Sequence, residues 1–377
     1  MSKLLKQRLA ALFMDVYKLS GFRVKKITRP LEAGEIRTVA IYSTTALGDL
    51  LLNTPAIVAI KKHFPAAKII LVVNKRNAQL VENSDLFDDV LFWNGKVNGV
   101  LRLVKALRRD KPDATFILHS HTPYDIIAAT LSRSDIILKD IYLNDYQGHD
   151  TFILNRFLSG HYDHRGDGFI PVISQKSKLL KLIGIDDMPT DMIIPFSYKA
   201  EKCARRTLGV HLGASSGERC WPIENFVTVI RRVMQTFSDV DIVLLGGPGE
   251  VERNRQFLTL LGEPLAARIT DLAGKTSLKQ LTEKIASLTC LLVGDTGPMH
   301  ISIAVRTPTI IMFPSLRASV GTRPQQDQAR HQVLIARSEK DNMAALDVDS
   351  VNVALFNALS SATSVENAPA AGGSRVS

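Results

Sequence analysis

Short β-branched runs that alternate with helical stretches, in two separate blocks, limit this chain to few architectures. The first block reads Thr38–Tyr42, a helix from Asp49, then Lys68–Val73, Val90–Trp93, Thr115–His119 and Asp135–Leu138, with helical spacing between the runs. The second reads Thr207–Leu212, Asp241–Leu245, Ile269–Leu272, Cys290–Val293 and Thr309–Phe313. Parallel strands need a crossover, and a helix is the usual one. The alternation therefore predicts an α/β chain with two parallel sheets, each covered by helices. The 377 residues suffice for two cores. Residues 34–195 are expected as one Rossmann-like domain and 196–350 as another. Residues 351–377 are expected as a helix end and a disordered tail rich in Ser, Ala, Gly and Pro. His161–Gly168 reads as a loop and Lys199–Arg206 as an interdomain linker.

Charge singles out residues 1–33. The chain carries a net +10, and this arm holds eight basic residues against Asp15 and Glu32. Within it, Leu4, Leu5, Leu9, Leu12, Phe13, Val16 and Leu19 recur at helical spacing. A basic amphipathic helix can lie on an anionic lipid surface, or it can pack on its own domain. No nucleic-acid motif accompanies the charge, so lipid at the inner face of the cytoplasmic membrane is the expected partner and nucleic acid is not. No uncharged apolar run is long enough to span a bilayer, and Lys6, Arg8 and Asp15 interrupt what would be a signal peptide. Cys203, Cys220 and Cys290 form no framework. A reducing, cytoplasmic setting is expected.

Ligands of open parallel sheets bind beyond the carboxyl ends of the strands, and the chemistry-bearing motifs fall there. Ser43-Thr44-Thr45-Ala46-Leu47-Gly48-Asp49 follows the first strand. Asp49 can be a helix cap, or a base that deprotonates a hydroxyl. Gly213-Ala214-Ser215-Ser216-Gly217-Glu218-Arg219-Cys220-Trp221-Pro222 follows the first strand of the second block. Small residues let backbone approach a phosphate, and Arg219 can grip a diphosphate through two hydrogen bonds. Gly246-Gly247-Pro248-Gly249-Glu250 offers Glu250 to ribose hydroxyls, or simply to a helix dipole. Gly294-Asp295-Thr296-Gly297-Pro298-Met299-His300 ends a strand and opens a helix, a natural place for an anion. His300 can reach that anion or serve as a core histidine. Metal signals are poor. His119-x-His121 and His161-x-x-His164 lack companion ligands, and no Asp-x-Asp is present to hold a cation on a diphosphate. No Gly-x-Gly-x-x-Gly follows the first strand, which argues against a dinucleotide-dependent oxidoreductase.

Taken in order, these elements resemble glycosyltransferase family 9, the lipopolysaccharide heptosyltransferases. The likeness spans most of residues 37–325 and adds Asn53-Thr54-Pro55-Ala56, Asp271–Leu278 and Thr307-Pro308 to the motifs above. It implies the GT-B fold, two facing Rossmann-like domains with the acceptor on the first and the nucleotide sugar on the second. It implies inverting transfer without a metal or other cofactor, from a nucleotide sugar such as ADP-heptose onto a lipid-linked, phosphorylated oligosaccharide. Asp49 would be the catalytic base. Arg219, which stands where the family usually has Lys, would hold the donor phosphates with Ser215, Thr296, Gly297 and His300. Glu250 would bind ribose, Thr276 would lie near adenine and Asp295 would touch the donor sugar. Lys75, Arg76 and Arg133 are acceptor-phosphate candidates on charge alone. The Arg219 substitution and the 214–218 loop leave open another nucleotide sugar. A non-catalytic sugar-nucleotide binding protein is the rival from outside the enzymes.

Overall fold

The computed structural model describes residues 2–214, 216–337 and 342–361. The chain divides into two compact units: Met1–Tyr198 with Val320–Gln326, and Lys199–Ser319 with Asp327–Ser377.

The first unit holds α1 (Lys3–Tyr17), β1 (Thr38–Ser43), α2 (Leu47–His63), β2 (Lys68–Val73), α3 (Ala78–Val81), β3 (Asp89–Phe92), α4 (Val100–Asp110), β4 (Ala114–His119), α5 (Tyr124–Leu131), β5 (Ile136–Ile141), α6 (Leu143–Tyr146), β6 (Gly160–Asp163) and α7 (Val172–Lys181). Its strands pair in the order β3-β2-β1-β4-β5-β6, every neighbour parallel. Strands covered on both faces need apolar side chains on both. Hence Ile69 to Val73 are all buried in a row, without alternation. One core joins α1, α4 and α5 to β1 and β2.

The second unit holds β7 (Thr207–His211), α8 (Ile223–Thr236), β8 (Asp241–Leu245), α9 (Val251–Leu261), β9 (Ile269–Asp271), α10 (Leu278–Ser287), β10 (Cys290–Gly294), α11 (Gly297–Ala304), β11 (Thr309–Phe313), β12 (His331–Ile335) and α13 (Val348–Ser361), and α12 (Leu316–Thr322) begins in it. The strand order is β12-β11-β10-β7-β8-β9, again parallel throughout. Two sequence expectations need correction. Gly160–Asp163 is a strand and not loop, and β12 extends the sheet beyond Thr309–Phe313. Of the expected disordered tail at 361–377, Ser361 ends α13 and residues 362–377 lie outside the described residues.

Charge is also buried inside the first unit. The side chains of Lys139 and Asp125 form an ion pair at 2.6 Å with no solvent exposure, and Lys176 pairs with Asp140 in the same state. Buried charges persist only when paired and hydrogen-bonded.

Candidate active site

In both sheets the chain reverses its direction of travel at the middle. In the first unit it runs outward from β1 on one side and from β4 on the other, so loops leaving β1 and β4 diverge and open a crevice. The Ser43–Asp49 segment lines that crevice and is pinned from several sides. Thr44 N donates to His119 O at 2.7 Å, and the hydroxyls of Thr44 and Ser120 meet at 2.7 Å. The Asn74 and Asn77 side-chain amides donate to the carbonyls of Thr44 and Thr45 at 3.2 and 3.3 Å. Gly95 closes in with φ +72°, and a Cβ there would sit 2.5 Å from Thr44 Oγ1. Only glycine fits that approach.

Asp49 is not the cap of its helix. The helix begins two residues earlier, with Ala46 as cap. Asp49 Oδ2 reaches back to accept from Ala46 N at 2.9 Å, the half of a capping box that needs no polar side chain at the cap. Its Oδ1 lies 3.5 Å from His119 Nε2, and the carboxylate keeps 29% exposure. One oxygen is thus tethered to backbone while the group stays open to a ligand.

In the sequence His119 stands out only through the incomplete His119-x-His121 metal pattern. A register shift between β1 and β4 brings it to this position. Tyr42 pairs with Ile117 and Ser43 with His119, so Leu118 is skipped. The Leu118 carbonyl, left outside the ladder, accepts instead from Lys176 Nζ at 2.6 Å and from Tyr142 Oη at 2.9 Å. The His119 ring packs on Tyr142 with centroids 4.8 Å apart. Burial, reinforced by the Lys176 ammonium, pushes His119 down to about 4 despite the opposing pull of Asp49 and Asp140. Its Nδ1 has no hydrogen-bond partner among the described residues. A buried bare acceptor is tolerated better than a buried bare donor, so the ring proton belongs on Nε2, facing Asp49.

The second unit repeats the arrangement with different residues. Its chain reverses between β7 and β10. Gly213–Cys220 leaves β7, and Arg253 clamps both ends of this loop, donating to Leu212 O at 2.8 Å and Trp221 O at 2.6 Å. Trp221 is an anchor rather than a ligand group. It is buried, donates to Leu346 O at 3.1 Å and packs edge-on against Phe226. Arg219 stands in a short 3-10 turn, with Nη1 3.7 Å from Asp295 Oδ2 at the end of β10. That contact gathers Arg219, Asp295, Thr296 and Gly297 around the start of α11, where Thr296 is the cap residue. The first backbone N–H groups of a helix have no intrahelical partner and attract an anion. His300 is buried in the helix's first turn.

Glu250 packs over two glycines. A Cβ at Gly213 would fall 2.7 Å from Glu250 Cγ, and one at Gly246 would fall 2.8 Å from Glu250 Cβ. Glu250 Oε2 accepts from Gly247 N at 2.7 Å. Gly274 N donates to Gly246 O at 2.9 Å, which ties the turn carrying half-buried Thr276 to the Gly246–Glu250 turn. Of the expected donor residues, Arg219, Asp295, Thr296, Gly297 and His300 come together at one strand end. Glu250 and Thr276 sit on linked turns at the neighbouring strand ends. Ser215 lies outside the described residues.

The acceptor candidates do not stay together. Lys75 and Arg76 follow β2, at the same sheet edge as Asp49. Arg133 precedes β5, at the amino edge, where its guanidinium donates to Tyr17 Oη at 3.4 Å. In a parallel sheet these are opposite edges, so Arg133 leaves the candidate set. Among the described residues, no three His, Cys, Asp or Glu side chains converge as a ligand set.

The buried histidines make stability pH-dependent. Burial also pushes His211 down to about 4, against the pull of Glu250. An unfolded histidine titrates near 6.5, so between about pH 6.5 and about pH 4 the unfolded chain binds more protons than the folded one. Stability is full above that window and falls as pH drops through it, by up to about 3 kcal/mol for each ring. Urea unfolding at about pH 7 and about pH 4.5 should show the fall, and His119→Gln should make it shallower. A midpoint independent of pH in the parent would contradict the burial of these rings as neutral groups.

Two parallel α/β units whose strand ends open at their points of reversal have the GT-B fold. Residues 189–348 match the sequence profile of glycosyltransferase family 9 (heptosyltransferase). It is similar to lipooligosaccharide heptosyltransferase 2 of Campylobacter jejuni, at 27% identity over 308 residues, covering 77% of this chain and 85% of that one. Among solved structures, a family 9 glycosyltransferase from Veillonella parvula superposes with a TM-score of 0.71 at 18% identity, covering 86% of this chain and 97% of the other. The ADP-heptose lipopolysaccharide heptosyltransferase II of Escherichia coli superposes with a TM-score of 0.70 at 16% identity, covering 86% and 99%.

Proposed function

We propose that this glycosyltransferase moves heptose from ADP-heptose onto the inner core of lipopolysaccharide, with inversion and without a metal. The observation that carries the reading is the grouping of Arg219 and Asp295 at the start of α11, a cationic side chain beside the backbone that opens a helix. The names of the similar proteins, which are heptosyltransferases, support the choice of sugar.

The reaction is a single displacement. Asp49 takes the proton from an acceptor hydroxyl as that oxygen forms a bond to the anomeric carbon. The bond from that carbon to the diphosphate breaks, and ADP leaves with the electron pair. Arg219 and the Thr296–Gly297 backbone meet the charge that grows on the leaving group, and Glu250 holds the ribose. Such pre-set electrostatics is often the largest catalytic contribution. His119 Nε2 is the positioning partner of Asp49, because it presents a proton to the carboxylate and removes a rotamer choice. Lys75 and Arg76, at the same sheet edge as Asp49, suit an acceptor phosphate. A lipid-linked acceptor brings the enzyme to the inner face of the cytoplasmic membrane, and the basic arm supports that location. Among the described residues no helix is long and apolar enough to cross the membrane.

The test is a donor panel with a heptose-deficient core acceptor, read by nucleotide release and by product mass. ADP-heptose should support transfer, and a chelator should leave the rate unchanged. Turnover with a hexose nucleotide but not with ADP-heptose would replace the proposed donor. Donor binding without turnover on any core acceptor would favour a non-catalytic binding protein.

A further inference from the structure

Helix α1 has two apolar faces, and only one of them is used. Gln7, Ala10, Ala11 and Met14 are buried against the first unit, where they join the core shared with α4 and α5. The opposite face carries Leu5, Leu9, Leu12, Phe13 and Val16, all exposed, and Leu19 in the turn that follows continues it, with Leu12 at 64% and Leu19 at 85% exposure. The helix is therefore docked through Gln7, Ala10, Ala11 and Met14 and turns Leu5, Leu9, Leu12, Phe13 and Val16 outward. Six large apolar side chains in one stripe form the kind of contiguous patch that a free surface rarely keeps.

The charges around the stripe say what covers it. Projected down the helix axis, Arg8 borders the stripe on one side and Lys6 on the other. No acidic residue pairs with either among the described residues. Asp15, the one acid on the helix, is already held by Arg156 and Lys18. Helix α4, which covers the same face of the sheet, exposes Arg102, Lys105, Arg108 and Arg109. A second copy of this chain would bring two basic belts together and be repelled. An anionic bilayer surface would take the stripe into its apolar boundary and neutralise the belt, with the bordering Lys6 and Arg8 reaching the headgroups.

We propose that the outward face of α1, bordered by Lys6 and Arg8, is a docking surface for anionic lipid that lays this helix in the plane of the membrane. The proposal deepens the reading given under Proposed function, because a lipid-linked acceptor is presented at such a surface. It differs from the general attraction of a basic arm in assigning the contact to the apolar stripe and leaving Gln7, Ala10, Ala11 and Met14 on the protein side.

The test uses the full chain and sedimentation with vesicles of phosphatidylcholine alone or of equimolar phosphatidylcholine and phosphatidylglycerol. The chain should pellet with the anionic vesicles, less so at high salt, and stay in solution with the neutral ones. The combined variant Leu9→Glu, Leu12→Glu, Val16→Glu should fold normally by circular dichroism and lose at least about tenfold in partitioning. The milder pair Lys6→Gln, Arg8→Gln should bind more weakly at low salt. Transfer to a delipidated acceptor fragment should be unchanged in both. That assay reads the enzymatic proposal separately, since its failure in the parent chain would leave the vesicle result standing. A parent chain that stays in the supernatant, or a triple variant that pellets like the parent, would overturn the assignment. So would a solution dimer that the triple variant breaks without any vesicle binding.

Discussion

Asp49→Asn is expected to lower kcat by about a thousandfold while leaving the affinity for ADP and for the donor unchanged. Asparagine keeps an oxygen that can accept from Ala46 N, so the bond that now runs from that N–H to Asp49 Oδ2 at 2.9 Å survives the change. What disappears is the basic carboxylate. The effect should therefore fall on turnover and not on folding or donor binding, which is the pattern of an interaction made in the transition state. Steady-state kinetics together with calorimetric titration of ADP separates these quantities. A variant with near-parental kcat would remove Asp49 from the chemistry and leave it a helix-start residue.

Arg219→Ala is expected to act on the other half of the reaction. The guanidinium lies at the head of α11 beside Asp295, and losing it leaves the diphosphate to the helix start alone. Donor affinity should fall about tenfold and kcat/KM by a further factor, to about a hundredfold or more in total, because charge on the leaving group peaks in the transition state. Arg219→Lys should recover part of the loss. It restores the charge but not the two-pronged contact. If ADP bound the alanine variant as tightly as the parent, the diphosphate would have to lie elsewhere.

The fold was legible where strands are buried on both faces. Runs such as Lys68–Val73 and Thr309–Phe313 are nearly all apolar and could not be surface segments. The missed strands are both at sheet borders. In β6, Gly160–Asp163 is polar and half-buried, and β12 opens with His331 and Gln332, so neither carries the signature of a central strand. Lys139 and Asp140 inside β5 gave no warning of burial either. Their partners, Asp125 and Lys176, are distant in sequence, and a lone charge in a run normally marks an exposed position.

The site shows the same division. Asp49, Arg219 and the Gly294–His300 turn were visible because each follows a recognisable strand directly. His119 was not, because its place beside Asp49 depends on one skipped residue in the pairing of β1 with β4. Arg253 was invisible for a related reason. Its role is to bind two carbonyls, and carbonyls leave no trace in a sequence. Arg133 was over-read, since charge without strand direction cannot say at which edge of a sheet a residue falls.

The short return of residues 320–326 to the first unit has a practical consequence. Gln326 accepts a hydrogen bond from Met192 N at 2.5 Å in that unit, so a clone stopped at Tyr198 would lack a piece of its own structure. Neither half is a contiguous stretch of the gene product. Anyone wishing to study the donor half or the acceptor half in isolation would need a spliced or permuted coding sequence rather than a stop codon.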